Sequence, residues 1–462
     1  MKYRIERDFL GKVRVPANAY YGVETERAKE NYQISGIMVP IPFIKNYAII
    51  KKCAAIANMK IGKLDERRCT AIVRACDEVI KGRFDDQFVI DVYQSGAGTS
   101  VNMNVNEVVA NRAIELLGGK KGDYKIVHPN DHVNMSQSTN DTYPAAMHLS
   151  VYSALRKELI PALGHLHSAL LKKSAEFSKI VKIGRTHLQD AVPITLGQEF
   201  SGYASSLLRE TKHIEEISEQ LLYLPLGGTA VGTGIEASRK YSKEVINEIA
   251  KCTRVKYKSS KNFFDIQQNQ NEEQWISSSL KDLAISLNKL GNDIRLMASG
   301  PVAGFSDILL PPPQPGSSIM PGKVNPSMPE MLNMVCFQII GSDSVISNAA
   351  QSGQLELNVY MPLIMYNLLN SISILSKAVA TFTDKCVLGI KANTKRIKAN
   401  LDKDISVATA LATYIGYSRA AEIAKKAKKE SKSVKEVCME MKLFDKKKLD
   451  KILDPRRLTK MS

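Results

Sequence analysis

From Ile276 onward, apolar residues recur at Leu280, Leu283, Leu287, Leu290, Ile294 and Met297. Steps of three and four put one apolar stripe along a helix of about six turns. The same period runs through Leu155, Leu159, Leu163, Leu166 and Leu170, and further helices are predicted over 190–222, 329–350 and 361–385. Val101, Val105, Val108, Arg112 and Leu116 share a face of another helix, which Gly118-Gly119 would end. Strand pattern is weak and confined to short pieces near 12–15 and 124–128. Stripes this long need partners. The pattern therefore predicts a mainly α fold built on a long helical bundle, with a homo-oligomer sharing that bundle. Three segments are expected: a mostly helical 1–140, a central long-helix segment 141–394, and a small C-terminal helical segment 395–462.

Composition narrows the class. Of 462 residues, 44% are hydrophobic and 24% charged, as in soluble globular chains. The most apolar stretch, 361–380, is broken by Asn367, Asn370, Ser371 and Lys377 and reads as a buried helix, so no membrane partner is expected. The charged start (Lys2-Tyr3-Arg4-Ile5-Glu6-Arg7-Asp8) has no apolar core and does not read as a signal peptide. Seven scattered cysteines, with no CxxC, argue for a reducing cytoplasm and against disulfides or structural zinc. The net charge is +17, and part of it lies at Lys425, Lys426, Lys428, Lys429 and Lys446-Lys447-Lys448. Alanines and glutamates interleave the first of these runs, and neither run has an aromatic stacking platform. We read them as solvated helix faces, with no nucleic-acid partner expected. A basic surface also steers dianions toward a protein.

Four polar segments interrupt the helical pattern. Ser95-Gly96-Ala97-Gly98-Thr99-Ser100-Val101-Asn102 places hydroxyls and glycines just before a helix, where backbone N–H groups and the helix dipole favour an anion. Taken alone, the segment is better accounted for by an N-cap without a ligand. Ser136-Gln137-Ser138-Thr139-Asn140-Asp141 carries more hydrogen-bonding side chains than one cap needs. Gly184-Arg185-Thr186-His187-Leu188-Gln189-Asp190 holds one of only seven histidines, and both a structural and a catalytic role stay open. The fourth segment is Gly316-Ser317-Ser318-Ile319-Met320-Pro321-Gly322-Lys323-Val324-Asn325-Pro326, preceded by Pro311-Pro312-Pro313-Gln314-Pro315. So many Gly and Pro residues make a loop. Lys323 and Asn325 can point at one carboxylate, with Ser317 across the Pro321-Gly322 turn. Gly227-Gly228-Thr229-Ala230-Val231-Gly232-Thr233-Gly234 lacks the Gly-Lys-Ser/Thr ending of a phosphate loop, and no nucleotide site is expected there. No metal-ligand cluster, HExxH or nucleophile elbow appears, so no metal or cofactor is expected.

Together these four segments resemble the aspartase/fumarase superfamily over nearly the whole chain, and 316–326 matches its signature. Arg4-Ile5-Glu6, Ala19-Tyr20-Tyr21-Gly22-Val23, Asp91-Val92-Tyr93-Gln94, Gly96-Ala97-Gly98-Thr99-Ser100 and Ser138-Thr139-Asn140-Asp141 are most like the aspartate ammonia-lyases. Class II fumarases typically carry Gly-Ser-Gly-Thr-Gln and Ser-Ser-Asn-Asp in the last two places. Tyr414-Ile415-Gly416-Tyr417 and Ala420-Ala421-Glu422-Ile423-Ala424-Lys425-Lys426-Ala427 look as much like fumarase.

The resemblance implies a three-domain, mostly helical fold whose long helices form one bundle in a homotetramer, with active sites shared between subunits. It implies a small dicarboxylate substrate, L-aspartate going to fumarate and ammonia, or in the alternative fumarate going to L-malate. Carried over by position, Ser317 would be the base, with Ser318 beside it. Lys323 and Asn325 would bind the α-carboxylate, and Thr99, Ser100, Ser138 and Thr139 the β-carboxylate. Asn140, Thr186 and His187 would sit near the amino group, and Glu330 would orient His187. His128, Asn130 and Asp131 match a peripheral anion site of fumarases. Val302 replaces a usual arginine, and Tyr360-Met361 stands where aspartases commonly have Met-Glu.

Overall fold

The computed structural model describes residues 2–460. The chain divides into two compact units, one formed by Met1–Ile160, His213–Asp282 and Gln338–Ile374, the other by Pro161–Lys212, Leu283–Phe337 and Leu375–Ser462. The fold is mainly helical, as the periodicity predicts. The long helices are Leu196–Ser218, Asn271–Met297, Ser327–Gln351 and Met361–Lys385. Every member of the stripe from Ile276 to Met297 is at most 5% exposed. Fully burying one such side chain stabilises a fold by about 1.5–3 kcal/mol. By length and composition, Met361–Gly389 is the one stretch among the described residues that could cross a membrane. Its Met361, Ile364, Met365, Leu368, Leu375, Val379 and Phe382 are instead buried in the protein.

In the first unit, an antiparallel hairpin pairs Tyr3–Asp8 with Gly11–Pro16, which includes the strand expected near 12–15. Helices Ile41–Lys60, Glu66–Ile80, Thr99–Leu116, Thr139–Ala154 and Arg239–Thr253 surround a core that includes Phe43, Tyr47, Ile72, Val105, Tyr143 and Tyr241. The valine stripe of Thr99–Leu116 is fully buried, and the helix gives way to Gly118 at φ 85. The strand expected at 124–128 is absent. Ile126 N–H bonds back to Asp123 C=O at 3.0 Å, so the segment turns, and Tyr124 spends its hydroxyl on Glu6 at 2.8 Å.

The second unit holds a hairpin, Val181–Thr186 with Gln189–Thr195. This corrects the helix expected from 190: it starts at Leu196, because Gln189–Thr195 carries the β-branched Val192, Ile194 and Thr195 and pairs with the preceding strand. The C-terminal helices Tyr417–Glu430, Val434–Glu440 and Lys446–Ile452 close over a core of Leu411, Ile423, Ala427, Val437, Cys438 and Leu449. Lys425, Lys428, Lys429 and Lys446 to Lys448 are exposed there.

Candidate active site

The segments 95–102 and 136–141 lie in the first unit and are packed together. Gly96–Gly98 forms a tight turn in which Ala97 takes φ 59 and Gly98 φ 83. Ala97 N–H donates to Val359 C=O at 2.8 Å. A Cβ on Gly98 would stand 2.1 Å from the Tyr143 ring, so only glycine fits. The turn launches the helix Thr99–Leu116, leaving Thr99 exposed and Ser100 buried at its start.

Ser138 caps the helix Thr139–Ala154. Its Oγ accepts from Asn140 N–H at 3.2 Å, and Asp141 Oδ1 accepts from Ser138 N–H at 3.0 Å. Asp141 Oδ2 also accepts from Gly227 N–H and Thr229 N–H, both at 3.0 Å, while the Asn140 amide donates to Ala230 C=O at 2.7 Å. The glycine-rich stretch 227–234 thus braces the start of this helix. Burial pushes the Asp141 carboxyl up to about 6, against the pull of its backbone donors.

Two helix N-termini therefore begin here with Thr99, Ser100, Ser138 and Thr139 around them. Such an end offers unpaired N–H groups and positive dipole ends to an anion.

Sequence reasoning missed Lys51. Its side chain is buried in the helix Ile41–Lys60, and its Nζ donates to Asn102 Oδ1 at 2.7 Å, Asn134 Oδ1 at 2.8 Å and Gln137 Oε1 at 3.1 Å. The available signal was spacing: Lys51 falls in register with Tyr47, Ala54 and Asn58 on the buried face.

The segments 184–190 and 316–326 lie in the second unit. Thr186 and His187 occupy the exposed hairpin turn, where His187 has φ 54 and Leu188 φ 58. The hairpin is anchored one residue earlier. The Arg185 guanidinium pairs with buried Asp307 and lies 4.2 Å from the Phe305 ring centroid, and Lys182 reaches the same carboxylate at 3.1 Å.

The segment 316–326 is an open loop closed at its base. Gly316 N–H donates to Lys323 C=O at 2.8 Å, and the Asn325 amide donates to Gly316 C=O at 2.6 Å. A Cβ on Gly316 would lie 2.5 Å from the Lys323 oxygen. Within the loop, Ser317 Oγ accepts from Ile319 N–H at 3.2 Å and Met320 N–H at 2.9 Å. Ser318 and Lys323 are exposed.

The structure thus brings Thr99, Ser100, Ser138, Thr139 and Asn140 together in one unit. Ser317, Ser318, Lys323 and Asn325 share one loop. Glu330 lies 4.0 Å from Arg295, and among the described residues no ion pair joins it to His187 within one chain. His128 caps a short turn, its Nδ1 accepting from Asn130 N–H at 3.1 Å and Asp131 N–H at 3.2 Å. Val302 is exposed and Met361 buried. Among the described residues, no three His, Cys, Asp or Glu side chains gather to hold a metal ion.

Comparison with known proteins follows the same lines. A lyase family model matches residues 11–341, and a fumarase C C-terminal model matches 407–460. The chain is 47% identical to an aspartate ammonia-lyase of a Bacillus species over 456 residues, covering 99% of this chain and 97% of that one. It is 48% identical to a class II fumarate hydratase of Thermosynechococcus vestitus over 438 residues, covering 95% and 94%. A crystal structure of a fumarate lyase:delta crystallin from Brucella melitensis bound to cobalt superposes with a TM-score of 0.97 at 46% identity, covering 100% of both chains. That of a class II fumarase from Schistosoma mansoni gives 0.96 at 38%, covering 99% of both.

Proposed function

Because the chain belongs to the aspartase/fumarase family of lyases, we propose that it is an aspartate ammonia-lyase, converting L-aspartate reversibly to fumarate and ammonia. The observation that carries this over class II fumarase is the residue after Thr99. Ser100, buried in the first turn of its helix, stands where fumarases typically have glutamine. Thr139 in place of a second serine points the same way.

The reaction needs a base at Cβ and a site for the dianionic aci-carboxylate left when that proton departs. Ser317 is the base in this reading. A serine hydroxyl is a weak base until its alkoxide is stabilised. The Ile319 and Met320 N–H groups already aim at its oxygen, and Lys323 adds positive charge in the same loop. Lys323 and Asn325 take the α-carboxylate, with Ser318 beside Ser317. The β-carboxylate, where charge accumulates, lies against Thr99, Ser100, Ser138 and Thr139, with two helix N-termini behind them. Asn140, Thr186 and His187 surround the departing amine.

Glu330 orients His187 in this reading. Since the two do not pair within one chain, we assign that contact to neighbouring subunits of a homotetramer. The reverse reaction tests the reading. Purified protein given fumarate with ammonium should form L-aspartate. Formation of L-malate alone would make it a fumarase.

A further inference from the structure

Lys51 is 0% exposed, yet every acceptor within hydrogen-bond reach of its Nζ is an amide oxygen, those of Asn102, Asn134 and Gln137. Among the described residues no carboxylate forms an ion pair with it. Burying an ammonium this way is costly, and a neutral donor would tie the same three groups. The cost therefore calls for a use of the charge. Position suggests one. Asn102 lies on the first turn of the helix begun by Thr99, and Gln137 directly precedes Ser138. Lys51 thus sits behind both hydroxyl-bearing segments and links them.

We propose that Lys51 is a positioning residue of the carboxylate site, setting the two helix starts in register through Asn102 and Gln137 and lending buried positive charge to the dianion they hold. This rests on the reading that Thr99, Ser138 and Thr139 bind a carboxylate.

The groups facing Lys51 define its response. Asp141, from the helix Thr139–Ala154, favours the ammonium, whereas Cys76 from Glu66–Ile80 faces it as a thiol that burial keeps protonated and uncharged. The Tyr47 ring centroid lies 5.2 Å from Nζ. Desolvation outweighs these and brings Lys51 down to about 7. A carboxylate arriving at the two helix starts favours the charged form, so binding above neutral pH draws in a proton.

The test is calorimetric binding of succinate, an unreactive dicarboxylate, to the intact enzyme at about pH 8 in two buffers of different ionisation heat. The unaltered enzyme takes up a measurable fraction of a proton per site. Lys51→Gln, which keeps N–H donors without the charge, loses that uptake and binds succinate about tenfold or more weakly. Lys51→Arg, whose charge is fixed at this pH, loses the uptake and keeps more of the affinity than Lys51→Gln does. No uptake by the unaltered enzyme, or uptake unchanged in either variant, would overturn the proposal. Absence of uptake in the unaltered enzyme refutes it even if neither variant folds. Failure of the unaltered enzyme to bind succinate at all would instead sink the carboxylate reading, and this inference with it.

Discussion

Met320 donates its backbone N–H to the Ser317 hydroxyl oxygen at 2.9 Å. That bond makes a weak base plausible, because the same donor stabilises an alkoxide more than a hydroxyl. Ser317→Ala should therefore lower kcat by about a thousandfold or more while KM shifts by only a few-fold, since the lost group acts in the transition state. Steady-state kinetics on the purified variant measure both. Turnover near that of the unaltered enzyme would remove Ser317 from the base role.

Asp307 is the anchor of the hairpin that carries Thr186 and His187, holding Arg185 and, at 3.1 Å, Lys182. Asp307→Ala should cost about 3 kcal/mol, because it takes the carboxylate from the partly buried Arg185 and leaves the buried Lys182 with Glu199 alone. Urea unfolding at fixed protein concentration measures that cost. The variant should also lose kcat/KM as the hairpin loosens. A variant equal to the parent in both would show that the hairpin holds its shape without this pair.

Glu107 gives a pH signature. Its carboxylate accepts from Gly22, Glu24 and Thr25 N–H groups at 2.8, 2.9 and 3.1 Å and from the Thr25 hydroxyl at 2.6 Å. Burial nevertheless pushes it from 4.5 up to about 7. With the folded value raised, the folded state holds the proton more tightly than the unfolded chain. The stability this contributes is complete below pH 4.5 and is lost as pH rises through about 7. The stability difference between the parent and Glu107→Gln should fall by about 1–3 kcal/mol across that window. Chemical denaturation at several pH values checks it, and a flat difference would contradict it.

Much of this was legible in the chain because helix periodicity survives tertiary context. The stripe from Ile276 to Met297 and the apolar face of Met361–Lys385 are both buried as their spacing requires. The Gly- and Pro-rich composition of 316–326 marked a loop. Segments settled by pairing were harder to read. Gln189–Thr195 became a strand through its partner Val181–Thr186, and 124–128 had no partner to pair with. Lys51 escaped notice because a lysine pair in a helix looks like surface, and only the packing of Tyr47 and Asn102 around it reveals a buried charge.

The central claim is that this site deaminates L-aspartate. The direct measurement is the ultraviolet absorbance of fumarate as purified protein is mixed with L-aspartate and, separately, with L-malate. The account predicts fumarate and equimolar ammonia from L-aspartate, and little or no fumarate from L-malate. Fumarate from L-malate alone would contradict it.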